Sequence, residues 1–499
     1  MEDIDRLRED ARAGRIDSDR LVDLIVMLQR QLQAALKRIE ELEKQLGGGA
    51  TAKVAEPFSM RAEEQRQEKR GKKKRRRNGP QRRGRLKTAD KIKRAERTTP
   101  VFPEGVDRGD CRLSHVRPVW RLENGRAVLV AYEIYRGPNN QYGRIPGVLG
   151  RSEFGMEIIL EIAHLVYIVG LSFDKVCQLL KFFQNLHLTK SQVDKLLHKL
   201  ARHWEKEFDA LCTLLANSLV VHADETSWSL NSVWALLSEK ARVVLYGVHK
   251  DADTLKLLLD PETYAGLVIS DDAAVYANFT RAQKCWAHLL RKAIKLTLQD
   301  ADEPAYRAFA DRLLEIYREA CRVQGDGRLS DAGRAAKVAA LDDEILEMCA
   351  GMWLQQLPPL EDGPHNDYRL LVNELMRLML DQQLFSFVLA KPVTQPNGET
   401  KPVSGTNNEA ERTLRGDAEA RKTGRTSKTA RGARRRTILV SVLGSLRLYL
   451  PTFTLQSVIA EVEHWSAAGR SCFTALLKKL KLQLPEQPFL ERLFPTPSG

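Results

Sequence analysis

Two short apolar runs of β character, Leu219-Val220-Val221 and Leu267-Val268-Ile269, are each followed within three residues by an acid. Asp224 stands in His222-Ala223-Asp224-Glu225-Thr226, and Asp271 in Ile269-Ser270-Asp271-Asp272. A third acidic stretch, Asn407-Asn408-Glu409-Ala410-Glu411-Arg412, opens a basic segment of helical pattern. Short runs rich in Val and Ile, bounded by polar residues, read as buried strands. The aspartates are thereby expected at strand ends and the glutamate on a late helix. A chain that must honour all three is an α/β protein whose sheet is covered by helices.

The strand pattern is confined to residues 218–290, with runs at 219–222, 233–237, 243–248 and 267–270, a last one at Cys285-Trp286, and a helix at 252–259. Three strands, a helix and two further strands is the order of an RNase H-like sheet. The catalytic core is expected over 216–290 and 400–450. Residues 291–399 read as almost all helix, a large helical insertion before the last catalytic helix, and 451–499 as C-terminal helices. Residues 151–215 form a helical, helix-turn-helix-like region. Its second helical pattern, 190–208, is opened by Thr189 with Gln192 three residues on, a capping box, and presents Val193, Leu196, Leu197, Leu200, Trp204 and Phe208 on one face. A short turn between two helices fits DNA reading, although ordinary packing explains most such pairs. Residues 101–150 contain a small β element, with a strand at 127–132 after the turn Asn124-Gly125.

Toward the N-terminus, Leu21, Ile25, Leu28, Leu32, Ala35, Ile39, Leu42 and Leu46 keep an unbroken 4-3 spacing. This predicts a coiled coil over 18–47 and a homo-oligomer, with β-branched residues at two a positions leaning toward a parallel dimer. Residues 48–100 lack apolar periodicity and read as a basic disordered linker. Sixteen Lys and Arg between 69 and 97, among them Lys72, Lys73, Lys74, Arg75, Arg76 and Arg77, face only Asp90 and Glu96, so this stretch alone matches the chain's net charge of +14. Clustered cations on a phosphate backbone release counterions and gain salt-dependent affinity, so DNA is the expected partner. The longest apolar stretch is far below spanning length, which excludes membrane insertion. The start carries no secretory pattern, and the seven cysteines show no C-x-x-C pair. These point to a cytoplasmic protein, nucleoid-associated through its expected DNA partner, with reduced, mostly buried thiols.

Cutting or transferring a phosphodiester needs charge neutralisation, an activated oxygen nucleophile and support for the leaving oxygen. Two hard cations about 3.5 to 4 Å apart supply all three. Mg²⁺ takes carboxylate and water ligands, so converging Asp and Glu suffice without a His/Cys cage. Strand alternation separates Asp224 from Glu225, and Asp224 is the chosen ligand; Asp271 is preferred over Asp272 because it ends the apolar run. Glu409 and Glu411 lie roughly 200° apart around a helix and cannot share a face. Each acid also has an ordinary structural reading: Asn408 with Glu411 makes a capping box, Glu411 with Arg415 an i,i+4 ion pair.

The landmarks His222-Ala223-Asp224-Glu225-Thr226-Ser227-Trp228, Asp271-x-x-x-x-Tyr276, Cys285-Trp286-x-His288-x-x-Arg291 and Asn407-Asn408-x-x-Glu411-Arg412-x-x-Arg415 resemble, in order and spacing, those of the insertion-sequence 66 family of transposases. The resemblance covers about 150–450. It implies a DDE triad of Asp224, Asp271 and Glu411 on an RNase H-like fold, holding two Mg²⁺ or Mn²⁺ ions to cut element ends and join them to target DNA, with accessory transposition proteins as further partners. His288, Arg291, Arg412 and Arg415 join the cluster at 72–77 as DNA-contact candidates. Eight cations between Arg421 and Arg436 with no acid among them favour a backbone-tracking role. Family members commonly carry a cysteine-rich zinc element where this chain has only Cys111, so 101–150 reads as a degenerate zinc-finger-like region and no zinc is expected. The alternative is an inactive or repurposed DNA-binding descendant of such a transposase, and a structure-specific nuclease is third.

Overall fold

The computed structural model describes residues 87–353 and 363–495. The chain divides into the units Met1–Arg83 and Gly84–Gly499, and every described residue lies in the second. The expected coiled coil at 18–47 and the cation cluster at 72–77 fall outside the described residues.

The end of the stretch read as disordered linker is instead regular structure: α1 (Thr88–Lys93) and β1 (Arg97–Val101). Both are tied to later parts of the chain. Lys91 Nζ lies 2.8 Å from a Glu153 carboxylate oxygen, and β1 pairs in parallel with the third strand, Arg97 beside Val130. The strand-forming Thr98, Thr99 and Val101 fill an open sheet edge, a long-range pairing invisible to local periodicity. β2 (Arg112–Glu123) and β3 (Arg126–Arg136) make a hairpin. Its turn, Asn124-Gly125, has φ of 49° and 76°, the doubly left-handed two-residue turn that matches strand twist.

A helical block comes next: α2 (Met156–Tyr167), α3 (Phe173–Gln184), α4 (Lys190–His203) and α5 (Glu205–Ala216). The α4 capping box forms, with Thr189 Oγ1 accepting from Gln192 N at 3.3 Å and Gln192 Oε1 accepting from Thr189 N at 2.9 Å. The six apolar residues read as its face are all buried, yet they span two helices, since α4 ends at Trp204 and Phe208 belongs to α5. Most of α2 is buried, with only Glu161, His164 and Leu165, spaced along one face, partly exposed.

The central sheet comprises β4 (Val220–Ser227), β5 (Ser232–Ser238), β6 (Arg242–Val248), then, after the short α6 (Ala252–Lys256), β7 (Leu267–Ser270) and β8 (Ala282–Lys284). Its order is β6-β5-β4-β7-β8, with β4, β5 and β6 antiparallel in sequence and β4, β7 and β8 parallel. The last strand stops before Cys285-Trp286, whose local pattern predicts strand. Cys285 is instead the N-cap and Trp286 the first residue of α7 (Trp286–Gln299). The Trp286 indole is fully buried and donates to the Leu384 carbonyl at 2.7 Å, so packing beyond the sheet overrides strand propensity.

The insertion is α8 (Pro304–Gly325), α9 (Asp331–Trp353), α10 (Pro364–Leu380) and α11 (Ser386–Leu389), with the small hairpin of β9 (Val393–Thr394) and β10 (Thr400–Lys401). The chain then returns to the sheet with α12 (Asn408–Lys422) and α13 (Ala430–Tyr449), and ends in α14 (Leu455–Ala468), α15 (Cys472–Lys479) and α16 (Phe489–Leu493). Helices cover both faces. Val221, Ala223, Trp234 and Leu236 join one core with α5. Val233, Ala235, Val244 and Tyr246, on the opposite pleat, pack on Ala410 and Leu414 of α12. The insertion has its own core, reaching the sheet through Val220, Leu267 and Ile269.

The β6 edge is closed by α13. Thr437, Ser441 and Ser445 recur every fourth residue and so share one helix face. Their hydroxyls accept the outward backbone N–H groups of Tyr246, Val244 and Arg242 at 3.0, 2.9 and 2.9 Å. A bare edge would template pairing with another chain; here the helix satisfies it. Gly247, at φ 78° in a bulge, makes the close approach possible, because a Cβ there would meet Ala433 Cβ at 3.0 Å. No described helix is long and apolar enough to cross a membrane. The seven cysteines are free, with Cys212, Cys285 and Cys349 buried, Cys321 exposed and the rest between, so burial of thiols is less general than expected.

Candidate active site

β4 and β7 run parallel with His222 beside Ile269; two residues on, Asp224 lies within β4 and Asp271 lies just past the end of β7. They occupy the C-terminal ends of the parallel pair, where open α/β sheets bind ligands. Their neighbours are engaged elsewhere. Glu225, on the other pleat face, accepts from the Tyr276 hydroxyl and pairs with Lys250 at 2.9 Å. Asp272 pairs with Arg377 and lies 3.8 Å from Lys284 Nζ. Among the described residues Asp224 Oδ1 accepts from the N–H of Glu225, at 3.0 Å, and Asp271 Oδ1 from the N–H of Ala273, at 3.1 Å.

Glu411 sits in the first turn of α12, whose N-cap is Asn407 rather than Asn408. The expected capping box is not formed, because Asn407 has another task. Fully buried, it donates its amide Nδ2 to the Ala223 carbonyl at 2.7 Å and its backbone N–H to Cys285 Sγ at 3.1 Å. One residue thus fastens the helix bearing Glu411 to the strand position before Asp224. Nor does Glu411 pair with Arg415. Its carboxylate lies 3.6 Å from His288 Nδ1 and 3.5 Å from Arg291 Nη2, since α7 brings an imidazole and a guanidinium closer than the next turn of its own helix. His288 and Arg291, expected just past a strand, are on that helix. Arg412 and Arg415 are exposed. Glu409, as its spacing requires, points away from Glu411 and pairs with Arg242.

Electrostatics link the three acids. Burial pushes the Asp224 carboxyl up to about 7, and the negative charges of Glu225, Asp271 and Glu411 add to it. Burial also depresses the Lys284 ammonium, whose Nζ donates to the Asp271 carbonyl at 3.1 Å. Lys250 at the rim is raised, chiefly by its bond to Glu225, with smaller contributions from Asp271 and Asp224. A cleft of about 630 Å³ opens beside Asp271, between α7 and α10, with Lys284, His288, Lys292 and Arg377 among its walls.

The donor atoms of Asp224, Asp271 and Glu411 are all carboxylate oxygens, which suits a hard dication. Among the described residues the one trio of His, Cys, Asp or Glu whose ligand atoms all fall within 4.8 Å of one another is Cys285, His288 and Glu411. Asp224, Asp271 and Glu411 do not form such a trio, though the charges of Asp271 and Glu411 both reach Asp224.

Of the cations expected to track a DNA backbone, Arg434, Arg435 and Arg436 are turned inward, while Arg421, Lys422, Arg425, Lys428 and Arg431 stay exposed. Arg435 pairs with Asp194, Arg434 lies 3.3 Å from Glu205, Arg431 contacts His198, and Arg421 and Arg425 donate to the carbonyls of Ser227 and Gly170 at 2.9 and 3.0 Å. Arg436 is buried against Asp417 at 2.9 Å and beneath the rings of Tyr246 and Trp228. The acids they lacked locally come from α4, α5 and α12. Sequence reasoning missed Asn407, Lys250 and Lys284. Asn407 stood within a quoted motif, but no spacing rule says that it reaches β4.

The sheet and its carboxylates define an α/β protein with an acidic, cation-rimmed cleft at the ends of its central strands. The model of the Transposase IS66 family matches residues 151–435, more than half of the sequence, and the chain belongs to that family. No curated protein matches it.

Proposed function

We propose that this protein is a DDE transposase with an RNase H-like core, cutting the ends of its element and transferring the freed 3′ hydroxyl to target DNA. The observation that carries the reading is the convergence of Asp224, Asp271 and Glu411. Asp224 comes from β4 and Asp271 from just past the end of the neighbouring parallel strand β7. The third, far along the chain, is held in place by the Asn407 tether to Ala223. The sheet order, with three antiparallel strands followed by two parallel ones, supports the RNase H-like description.

Bound by these carboxylates, two Mg²⁺ or Mn²⁺ ions would neutralise the scissile phosphate, activate the attacking oxygen and support the leaving one. The chain's residues prepare for that. Asp224 sits where burial and its acidic neighbours favour its protonated form up to about pH 7, so it gives up a proton when it takes on a ligand role. Tyr276 and Lys250 occupy Glu225, keeping a fourth carboxylate out of the set. Arg291 pairs with Glu411 at 3.5 Å, and His288 and Arg291 are proposed to contact a phosphate. Arg412, Arg415 and the cluster at 72–77 are proposed DNA contacts, and the coiled coil at 18–47 is proposed to assemble the oligomer. Accessory transposition proteins and nucleoid association are part of the same reading.

The test is metal-dependent nicking and strand transfer on the element's own terminal DNA. The parent should nick with Mg²⁺ and yield joined product, while Asp224→Asn should do neither. Equal activity in both ends the catalytic assignment. DNA binding without nicking by the parent points to the repurposed DNA-binding descendant, and nicking without joining to a structure-specific nuclease.

A further inference from the structure

Cys285 and His288 lie three apart across the first turn of α7, and Glu411 meets them from α12; one ligand atom from each falls within 4.8 Å of the other two. Cys285 is 1 % exposed. Its sulfur receives the N–H of Asn407 at 3.1 Å and sits at the N-terminus of a fourteen-residue helix; burial pushes the metal-free thiol up, and a bound dication would displace its proton. His288 Nδ1 and Glu411 Oε1 face each other at 3.6 Å, beyond hydrogen-bond length. Both atoms are shut off from solvent, and neither has a hydrogen-bond partner among the described residues. Buried polar atoms are almost always satisfied, and a cation between these two would satisfy both. Thiolate, imidazole and carboxylate together are the donor set of a borderline-soft dication, three protein ligands with a fourth position open.

We propose that Cys285, His288 and Glu411 form a second metal site, selective for Zn²⁺ or a similar transition-metal dication, and that filling it withdraws Glu411 from the catalytic pair. Zinc then switches the enzyme off. Binding breaks the Cys285 S–H bond, the sulfur keeps the electron pair for the metal, and the proton goes to solvent. The site is distinct from the zinc element absent around Cys111. Its inhibitory consequence rests on the reading of Glu411 as a catalytic ligand; the site itself does not.

The experiment is titration of the full-length, chelator-stripped protein with Co²⁺, which occupies zinc sites and reports a bound thiolate by a charge-transfer absorption. A thiolate band saturating at one Co²⁺ per chain, displaced by Zn²⁺ and retained in Asp224→Asn, is the expected result. Cys285→Ser should abolish it. His288→Ala, at a partly exposed helix position that leaves the buried thiol in place, should weaken Co²⁺ binding by at least about tenfold, the loss that even outer-shell partners produce. No thiolate band in the parent, or one that survives Cys285→Ser, overturns the site. Zn²⁺ added to Mg²⁺-driven nicking should inhibit in step with the band; a filled site with unchanged nicking overturns the switch. A parent that never nicks with Mg²⁺ alone refutes the transposase reading, while the spectra still judge the metal site.

Discussion

Replacing Asp224 by Asn should stabilise the metal-free protein while abolishing catalysis, and the gain should depend on pH. In the fold the Asp224 carboxyl is pushed up to about 7 by burial and by Glu225, Asp271 and Glu411, against an unfolded value near about 3.9. Between those values the folded chain holds more protons than the unfolded one, so stability falls as pH rises from about 4 to about 7 and stays low above that. Three pK units correspond to about 4 kcal/mol. Asparagine keeps the oxygen that accepts from Glu225 N–H but carries no charge, so this loss should vanish. An unfolding entropy of about 2.1 cal/mol/K per residue over the unit Gly84–Gly499 makes 1 kcal/mol worth about 1 °C, so the variant should melt about 4 °C above the parent near pH 8 and level with it near pH 4. The assay is thermal unfolding across that range in chelator, repeated with Mg²⁺. The ion should raise the parent by binding the folded state alone and the variant much less. An Asn variant with the parent's pH dependence, or one less stable near pH 8, would refute the clustering of charge on which the site is built.

Further perturbations address the supports. Ser441→Ala should cost about 1 to 3 kcal/mol in chemical denaturation, because the buried Val244 N–H loses its acceptor, whereas the same change at exposed Ser466 should be nearly neutral. Asn407→Ala should leave a folded protein whose Mg²⁺-dependent nicking falls about 10²-fold, the effect of a displacement near 1 Å at a reacting group; unchanged kcat would dismiss the tether. Arg436→Met should destabilise by about 3 to 5 kcal/mol by leaving Asp417 charged and buried, and the double change with Asp417→Leu should recover much of that, as read from a double-mutant cycle. Deletion of 69–86, which carries eleven cations and no acid and stops short of α1, should flatten the salt dependence of DNA affinity; an identical slope refutes its phosphate contacts.

Much of the core was legible because its signals are local. The runs ending near Asp224 and Asp271, the Asn124-Gly125 turn and the Thr189 capping box each depend on neighbours in sequence, and each is found. What failed depended on partners far away along the chain. Trp286 reads as strand until Leu384 supplies its hydrogen-bond acceptor. Asn408 and Arg415 offer Glu411 local partners, but α7 brings His288 and Arg291. Arg431 to Arg436 look solvated because the groups that engage them come from α4, α5 and α12. A charge run therefore reports composition, and its role as DNA contact or internal staple is decided by topology.

The placement of Glu411 is the step most exposed to that topology. The whole helical insertion separates β8 from α12, and loop-closure entropy grows only slowly with length, so the insertion itself costs little but positions nothing. Registration must come from contacts made after the chain returns. Asn407 supplies one, to Ala223 beside Asp224; the hydroxyls of α13 on β6 supply the other, clamping the connection on both sides of α12. Two locks, one on the central strand β4 and one on the edge strand β6, fix a helix better than the length of chain before it could disturb it. This is why an insertion here leaves the three acids together, and why changes at Asn407 should matter more to catalysis than most changes within the insertion.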